Sequence, residues 1–189
     1  MNSLPGSFPR LNRITGWVLF VISSLVYLLT LEPTVSFWDC GEFILSSFRL
    51  QVGHPPGAPL FLMIGRIATF FALGDTSKVA FMMNAFSAIS SGFTIMFLFW
   101  TITHLVRKVY SDEDGNENRH LPVILGSGII GALAYTFSDT FWFSAVEGEL
   151  YALSSLVTGI VFWAMLKWEE EADDPLSGRW IILIFYIMG

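Results

Sequence analysis

Carboxylates set close together can carry acid–base chemistry, and this sequence gathers them in two short stretches. The first is Ser36-Phe37-Trp38-Asp39-Cys40-Gly41-Glu42-Phe43. On a helix a three-residue step places Asp39 and Glu42 on one face, so both can converge on one point. The second is Ser144-Ala145-Val146-Glu147-Gly148-Glu149-Leu150-Tyr151. A carboxylate within hydrogen-bond reach of a hydroxyl can take its proton as the hydroxyl attacks an electrophile. Each stretch also has a plainer reading that the spacing leaves open. Ser36-x-x-Asp39 and Ser144-x-x-Glu147 both match a capping box, in which the acid only satisfies amides at a helix start. Glu149 could likewise favour the positive end of a helix. His54, in Gly53-His54-Pro55-Pro56-Gly57-Ala58-Pro59-Leu60, follows the first stretch. A lone histidine is more often a hydrogen-bonded structural residue than a metal ligand, and the glycines and prolines around it dictate a rigid elbow.

The elements that position these residues belong to a membrane. The 189 residues are 53% hydrophobic and 14% charged, with a mean hydropathy of +0.60. Soluble domains carry about 25% charge. Sixteen acids against ten bases leave a net charge of −6 and no basic stripe for a phosphate backbone, which excludes nucleic acid as a partner. The single cysteine, Cys40, has no second cysteine to pair with in the chain. Crossing hydrocarbon takes about 17 to 25 apolar residues in a helix. Four stretches qualify, 14–31, 79–106, 121–138 and 150–166, and a fifth at 180–189 is too short to span, so the chain is expected to be the front part of a longer protein. The first lacks a small-x-small cleavage site and is expected to be an uncleaved anchor. Trp38, Phe141, Trp142 and Tyr151 near the boundaries fit an aromatic belt. No internal repeat is evident.

The stretch 57–73 decides the topology, because it is apolar yet carries Arg66 near its middle. If it spans, Arg10, Arg13 and Lys78 fall inside and six bases fall outside, against the positive-inside rule. If it lies flat, Arg10, Arg13, Arg107, Lys108, Arg119, Lys167 and Arg179 fall inside, and only Arg49, Arg66 and Lys78 fall outside. A central arginine costs about 2.5 to 3.5 kcal/mol in hydrocarbon and little on an interfacial helix. The expected fold is therefore an all-α polytopic membrane bundle with a cytoplasmic N-terminus. An outer loop carries two interfacial helices, at 37–50 and 57–73. Both acidic clusters then share the outer membrane surface. The acid runs at 111–118 and 169–174 are expected to be solvated cytoplasmic turns.

The anchor span, the acidic outer helix and the His-Pro-Pro turn together resemble GT-C type membrane glycosyltransferases. More narrowly, Trp38-Asp39-Cys40-Gly41-Glu42-Phe43, Gly53-His54-Pro55-Pro56-Gly57-Ala58-Pro59-Leu60 and Gly65-Arg66 resemble a bacterial domain-of-unknown-function family. That family is related to the animal protein O-mannosyltransferases that modify plexin-type receptors. The resemblance covers about residues 10–170 and implies a bacterial inner-membrane protein. It implies transfer of a sugar, mannose being the one suggested, from a polyprenyl-phosphate donor to a protein hydroxyl on the noncytoplasmic face. Asp39 matches the family's catalytic acidic position, and one base with direct attack inverts the anomeric centre. Glu42, Glu147 and Glu149 would orient the acceptor or shape the site, with His54 beside them. Arg49 and Arg66 would steady the departing phosphate. The acids would also suit a divalent cation such as magnesium or manganese, although their spacing does not demand one. Two other classes stand beside this reading: a transporter or lipid head-group binding protein without chemistry, and an assembly subunit whose acids only cap helices.

Overall fold

A computed structural model describes residues 7–114, 117–174 and 178–188. All regular structure among them is helical: α1 (Ser7–Leu29), α2 (Cys40–Arg49), α3 (Pro59–Phe70), a 3-10 turn (Thr76–Lys78), α4 (Val79–Asp114), α5 (Glu117–Thr136), α6 (Asp139–Ala145), α7 (Leu150–Glu170) and α8 (Gly178–Met188). Three helices are long and apolar enough to cross a bilayer, within Phe8–Leu29, Thr76–Tyr110 and Leu150–Glu170. The fourth expected span is bent: α5 and α6 meet at 68° and together meet the same criterion. The chain is an all-α polytopic membrane protein.

Helix ends follow local chemistry. α1 stops before Glu32-Pro33, where proline disfavours helical backbone in the residue ahead of it. α2 begins at Cys40 rather than the expected 37, because Trp38 adopts a positive φ of 62°. It ends where Leu50 turns left-handed at φ 52° and returns its N–H to the Ser46 carbonyl. α3 starts at Pro59, whose fixed φ suits a first helical position. At 12 residues it is too short to span. The expected turn around 107–120 is narrower than anticipated, since α4 continues to Asp114 and α5 begins at Glu117. Gly115 and Asn116, and the side chains of 111–119, lie outside the described part.

α4 is the central helix, packed against α1, α5 and α7. One apolar cluster joins α1, α4, α5 and α6 through Leu19, Tyr27, Ile95, Phe99, Ala132 and Phe141. Buried Tyr27 donates its hydroxyl to the Thr136 carbonyl at 2.9 Å, tying α1 to α5. A second cluster, including Phe43, Ile44, Phe61, Met83 and Leu153, seats α2 and α3 on the first turns of α4 and α7. The outer side of α1 exposes Ile14, Val18, Val21, Leu25 and Leu29, an apolar stripe suited to lipid.

Side-chain contacts give the helix directions. Trp100 lies against Asn12 and Asn84 against the loop after α1, so α1 and α4 are antiparallel. Trp100 meets Trp163 and Lys108 meets Glu169, so α4 and α7 are parallel. The bundle therefore has two ends. One collects the loop after α1, α2, α3, α6 and the segment 146–149; the other collects the start of α1 and the finishes of α4 and α7.

Candidate functional site

Both acidic stretches sit at the first of these ends. Asp39 is the residue immediately before α2, exposed, and its side chain makes no capping bond. The capping reading of Ser36-x-x-Asp39 is not realised. Ser36 Oγ instead donates to Glu147 Oε2 at 2.7 Å, joining the two stretches across 111 positions of sequence. The other capping box also fails to form. Ser144 lies in the last turn of α6 and donates to the Thr140 carbonyl at 3.3 Å, and Glu149 precedes α7 without a side-chain cap.

Around Asp39 the acids divide into an outer and an inner group. In the outer group the ligand atoms of Asp39, Glu42 and His54 all lie within 4.8 Å of one another. Glu42 grips His54 twice: Oε1 accepts the His54 backbone N–H at 2.6 Å, and Oε2 lies 3.0 Å from Nδ1. Those hydrogen bonds hold the Glu42 carboxyl below its ordinary range. The same carboxylate, with a smaller contribution from Asp39, raises His54 above its ordinary value. The elbow after α2 is thus locked to α2 by two hydrogen bonds, with the Asp39 carboxylate alongside. Among the described residues no hydrogen bond or ion pair engages that carboxylate, and no arginine or lysine pairs with Glu147 or Glu149.

In the inner group Cys40, Glu147 and Glu149 also converge within 4.8 Å, and all three are buried. Loss of water raises Glu149 above its ordinary value, and the charges of Glu147 and Asp39 add to the shift. Burial, opposed by a bond from Ser36 and helped by the neighbouring glutamates, pushes the Cys40 thiol up to about 12. The Glu147–Glu149 turn is pressed between α2 and α4, since a Cβ on Gly148 would stand 2.8 Å from Asn84 Oδ1 and 3.1 Å from the Ile44 side chain. Asn84, almost fully buried, donates to the carbonyls of Glu32 and Thr34 at 2.7 and 2.9 Å. The Glu32 N–H reaches the Val146 carbonyl at 3.2 Å. One side chain of α4 thereby aligns both acidic segments.

The outer group presents two carboxylates and an imidazole to water, a donor set suited to magnesium or manganese. The inner group suits such hard cations less, because its sulfur stays protonated. The arginines lie apart from the acids. Arg66 donates to the Phe48 carbonyl at 2.5 Å, a last-turn carbonyl of α2, and stacks on the rings of Phe48 and Phe70. Arg49 is exposed at the α2 terminus, 5.7 Å from the Phe48 ring. Arg49, Gly41, Val35 and Thr76 help line a cavity of about 350 Å³ beside α2. Sequence reasoning missed Asn84 and treated Cys40 only as an unpaired thiol. An amide within an otherwise apolar span was the available signal for Asn84.

Comparison with known proteins carries this geometry further. The family model described as the protein O-mannosyl-transferase TMEM260 N-terminal domain matches residues 39–189, beginning on Asp39 itself. The chain belongs to the TMEM260 N-terminal domain family. Within that relationship it is 26% identical over 146 residues to the protein O-mannosyl-transferase tmem260 of Dictyostelium discoideum, covering 77% of this chain and 16% of that protein. It is 27% identical over 153 residues to the mouse protein O-mannosyl-transferase TMEM260, covering 80% of this chain and 19% of the relative. The chain thus spans less than a fifth of the length of these relatives. No solved structure matches it.

Proposed function

We propose that this chain forms the acid-bearing end of a membrane protein O-mannosyltransferase, acting on a polyprenyl-phosphate-linked sugar at the noncytoplasmic face. The observation that carries this reading is the Asp39 carboxylate, exposed and, among the described residues, without a hydrogen bond, between a hydrogen-bonded elbow and a buried acid pair. The names of the relatives support the reaction class. The excess of bases at the opposite end supports the orientation.

In the proposed reaction Asp39 takes the proton of an acceptor serine or threonine hydroxyl. The hydroxyl oxygen then bonds to the anomeric carbon, and the carbon–oxygen bond to phosphate breaks, with the electron pair leaving on the phosphate. One displacement inverts the anomeric configuration, and no carboxylate nucleophile is required. Glu42 and His54 position the elbow beside the base. Glu147 and Glu149 shape the inner wall, where burial raises the Glu149 carboxyl above its ordinary value. Arg49 is the more available phosphate partner, because the Arg66 guanidinium is already bound to the end of α2. A head group at the membrane surface would meet these residues without leaving its lipid tail in water.

The test is transfer of radiolabelled mannose from polyprenyl phosphate onto protein by membranes containing the full-length protein, compared with Asp39→Asn. Label should move to protein with the wild type, with inverted anomeric configuration, and fall at least a hundredfold with the variant, the lower range of general-base contributions being about that size. Label that stays on lipid with the wild type overturns the enzyme reading in favour of head-group binding.

A further inference from the structure

α4 carries a single amide side chain, Asn84, in its second turn. It is 1% exposed, and its amide nitrogen donates to the carbonyls of Glu32 and Thr34 at 2.7 and 2.9 Å. Glu32 Oε1 closes the same loop on itself by accepting the Thr34 N–H at 3.2 Å and the Thr34 hydroxyl at 2.9 Å. Two further bonds tie this loop to the segment 146–149: the Glu32 N–H to the Val146 carbonyl at 3.2 Å, and Ser36 Oγ to Glu147 Oε2 at 2.7 Å. α2 fixes Asp39 from the other side, because the Asp39 carbonyl accepts the Phe43 N–H at 3.0 Å. Only Phe37 and Trp38 separate the Ser36 tie from the carboxylate. Trp38 holds a left-handed φ of 62°, which a bulky residue keeps only where its neighbours impose it. Across the site, a Cβ on Gly148 would stand 2.8 Å from Asn84 Oδ1, so the same amide is the seat of the turn that carries Glu147 and Glu149.

We propose that Asn84 is a positioning residue: it sets the Asp39 carboxylate against the Glu147–Glu149 turn, with Ser36 as the second tie, and so governs transfer through Asp39. The inference rests on the assignment of Asp39 as the base. Asn84 touches no substrate, because it is enclosed by protein and its donors are spent on backbone carbonyls. Holding two carbonyls at once needs two N–H groups on one planar nitrogen, which an amide supplies and a hydroxyl or carboxylate does not. Carbonyls left unmade at a buried contact are costly, so losing the amide moves the loop. Asp39 precedes its helix on that loop, whereas Asn84 stands on the central helix of the bundle, so the amide lends the loop the rigidity of α4. Displacing a reacting group by about 1 Å costs on the order of a hundredfold in rate, which is why such a distant side chain matters.

The test uses the full-length protein and two readouts. The first is geometric. Cys40 follows Asp39 and is 0% exposed, so its alkylation by maleimide, read by peptide mass spectrometry, reports whether the segment has moved. Asn84→Ala should speed that alkylation by about tenfold, the effect of local opening after a lost hydrogen bond. The second is transfer of labelled mannose from polyprenyl phosphate. Asn84→Ala should lower kcat by about ten- to a hundredfold while the donor KM changes by less than about twofold. In an Asp39→Asn background the same substitution should cost less than about twofold, because a residue acting through the base has nothing left to position. Ser36→Ala, at a half-buried loop position where folding is least at risk, should follow Asn84→Ala in both readouts, and Ser36→Thr, which keeps the hydroxyl, should restore them. Unchanged Cys40 alkylation in both alanine variants overturns the proposal, as does an equal loss of transfer with and without the Asp39 carboxylate. If the wild type moves no label, the enzyme reading fails by itself: faster Cys40 alkylation in Asn84→Ala then still supports Asn84 as the residue that sets this segment, and unchanged alkylation overturns it.

Discussion

The two ends of the bundle treat their acids in opposite ways. Where α4 and α7 finish, Glu169 pairs with Lys108, Glu170 with Lys167 and Arg107, and Glu171 with Arg179. The run expected to be merely solvated is thus an ion-pair network. At the α2 end Asp75 pairs with Lys78 and Glu42 with His54, yet Asp39, Glu147 and Glu149 have no cationic partner among the described residues. A fold that pairs its described acids at one end leaves three together at the other, where burial and its neighbours raise Glu149, and a perturbed carboxylate in such a place is a candidate functional group. The difference lies in the elements. Long helices bring complementary charges into register at their ends, whereas the α2 end is assembled from short helices and loops that aim side chains independently.

Substitutions that equalise the ends should reveal which acid matters. The largest effect is expected from Asp39→Asn, which should lower the transfer rate by roughly a hundred- to ten-thousand-fold while the circular dichroism spectrum and melting profile stay close to the wild type, since the side chain makes no hydrogen bond among the described residues.

Next in size is loss of the Glu42–His54 lock. Glu42→Gln should lower the rate by about tenfold, on the scale of one general positioning contact, and should change the pH profile. Glu42 is held below its usual 4.5 and His54 above its usual 6.5. The carboxylate's contribution is complete above about 4.5 and is lost as pH falls through its lowered value. The imidazolium's is complete below about 6.5 and is lost as pH rises through its raised value. The pair is therefore fully formed between about 4.5 and 6.5, and thermal melts of wild type minus variant should show their greatest difference in that window.

Glu149→Gln should be smaller still in activity and opposite in sign for stability. Because burial raises the Glu149 value, the folded chain binds more protons than the unfolded one above about 4.5, so its ionisation costs stability as pH rises. The variant should melt no lower than the wild type at pH 8, and its stability should depend less steeply on pH. At the paired end, Glu169→Gln should alter transfer by less than about twofold, as befits an exposed ion pair; a tenfold loss there would erase the contrast between the ends.

Much of this contrast was legible in the sequence. Uncharged runs marked the spans, and a three-residue step brought Asp39 beside Glu42. What was hidden depends on contacts between distant segments. Spacing alone suggested caps at Ser36 and Ser144, but the left-handed Trp38 delays α2 and turns Ser36 toward Glu147. Arg66 looked available for phosphate until the packing of α3 on α2 gave it the Phe48 carbonyl. The ties of Asn84 need the register of α4 against two distant loops, which no single stretch encodes.

The account depends on the two ends facing opposite sides of the membrane, and cysteine labelling reads that directly. Cys40 is fully buried with its thiol raised to about 12, so it should stay silent. Phe37 is 87% exposed at one end and Val109 65% exposed at the other. With a membrane-impermeant maleimide added to intact cells, Phe37→Cys should label and Val109→Cys should label only after permeabilisation. Labelling of Val109→Cys from outside, with Phe37→Cys protected, would contradict the account.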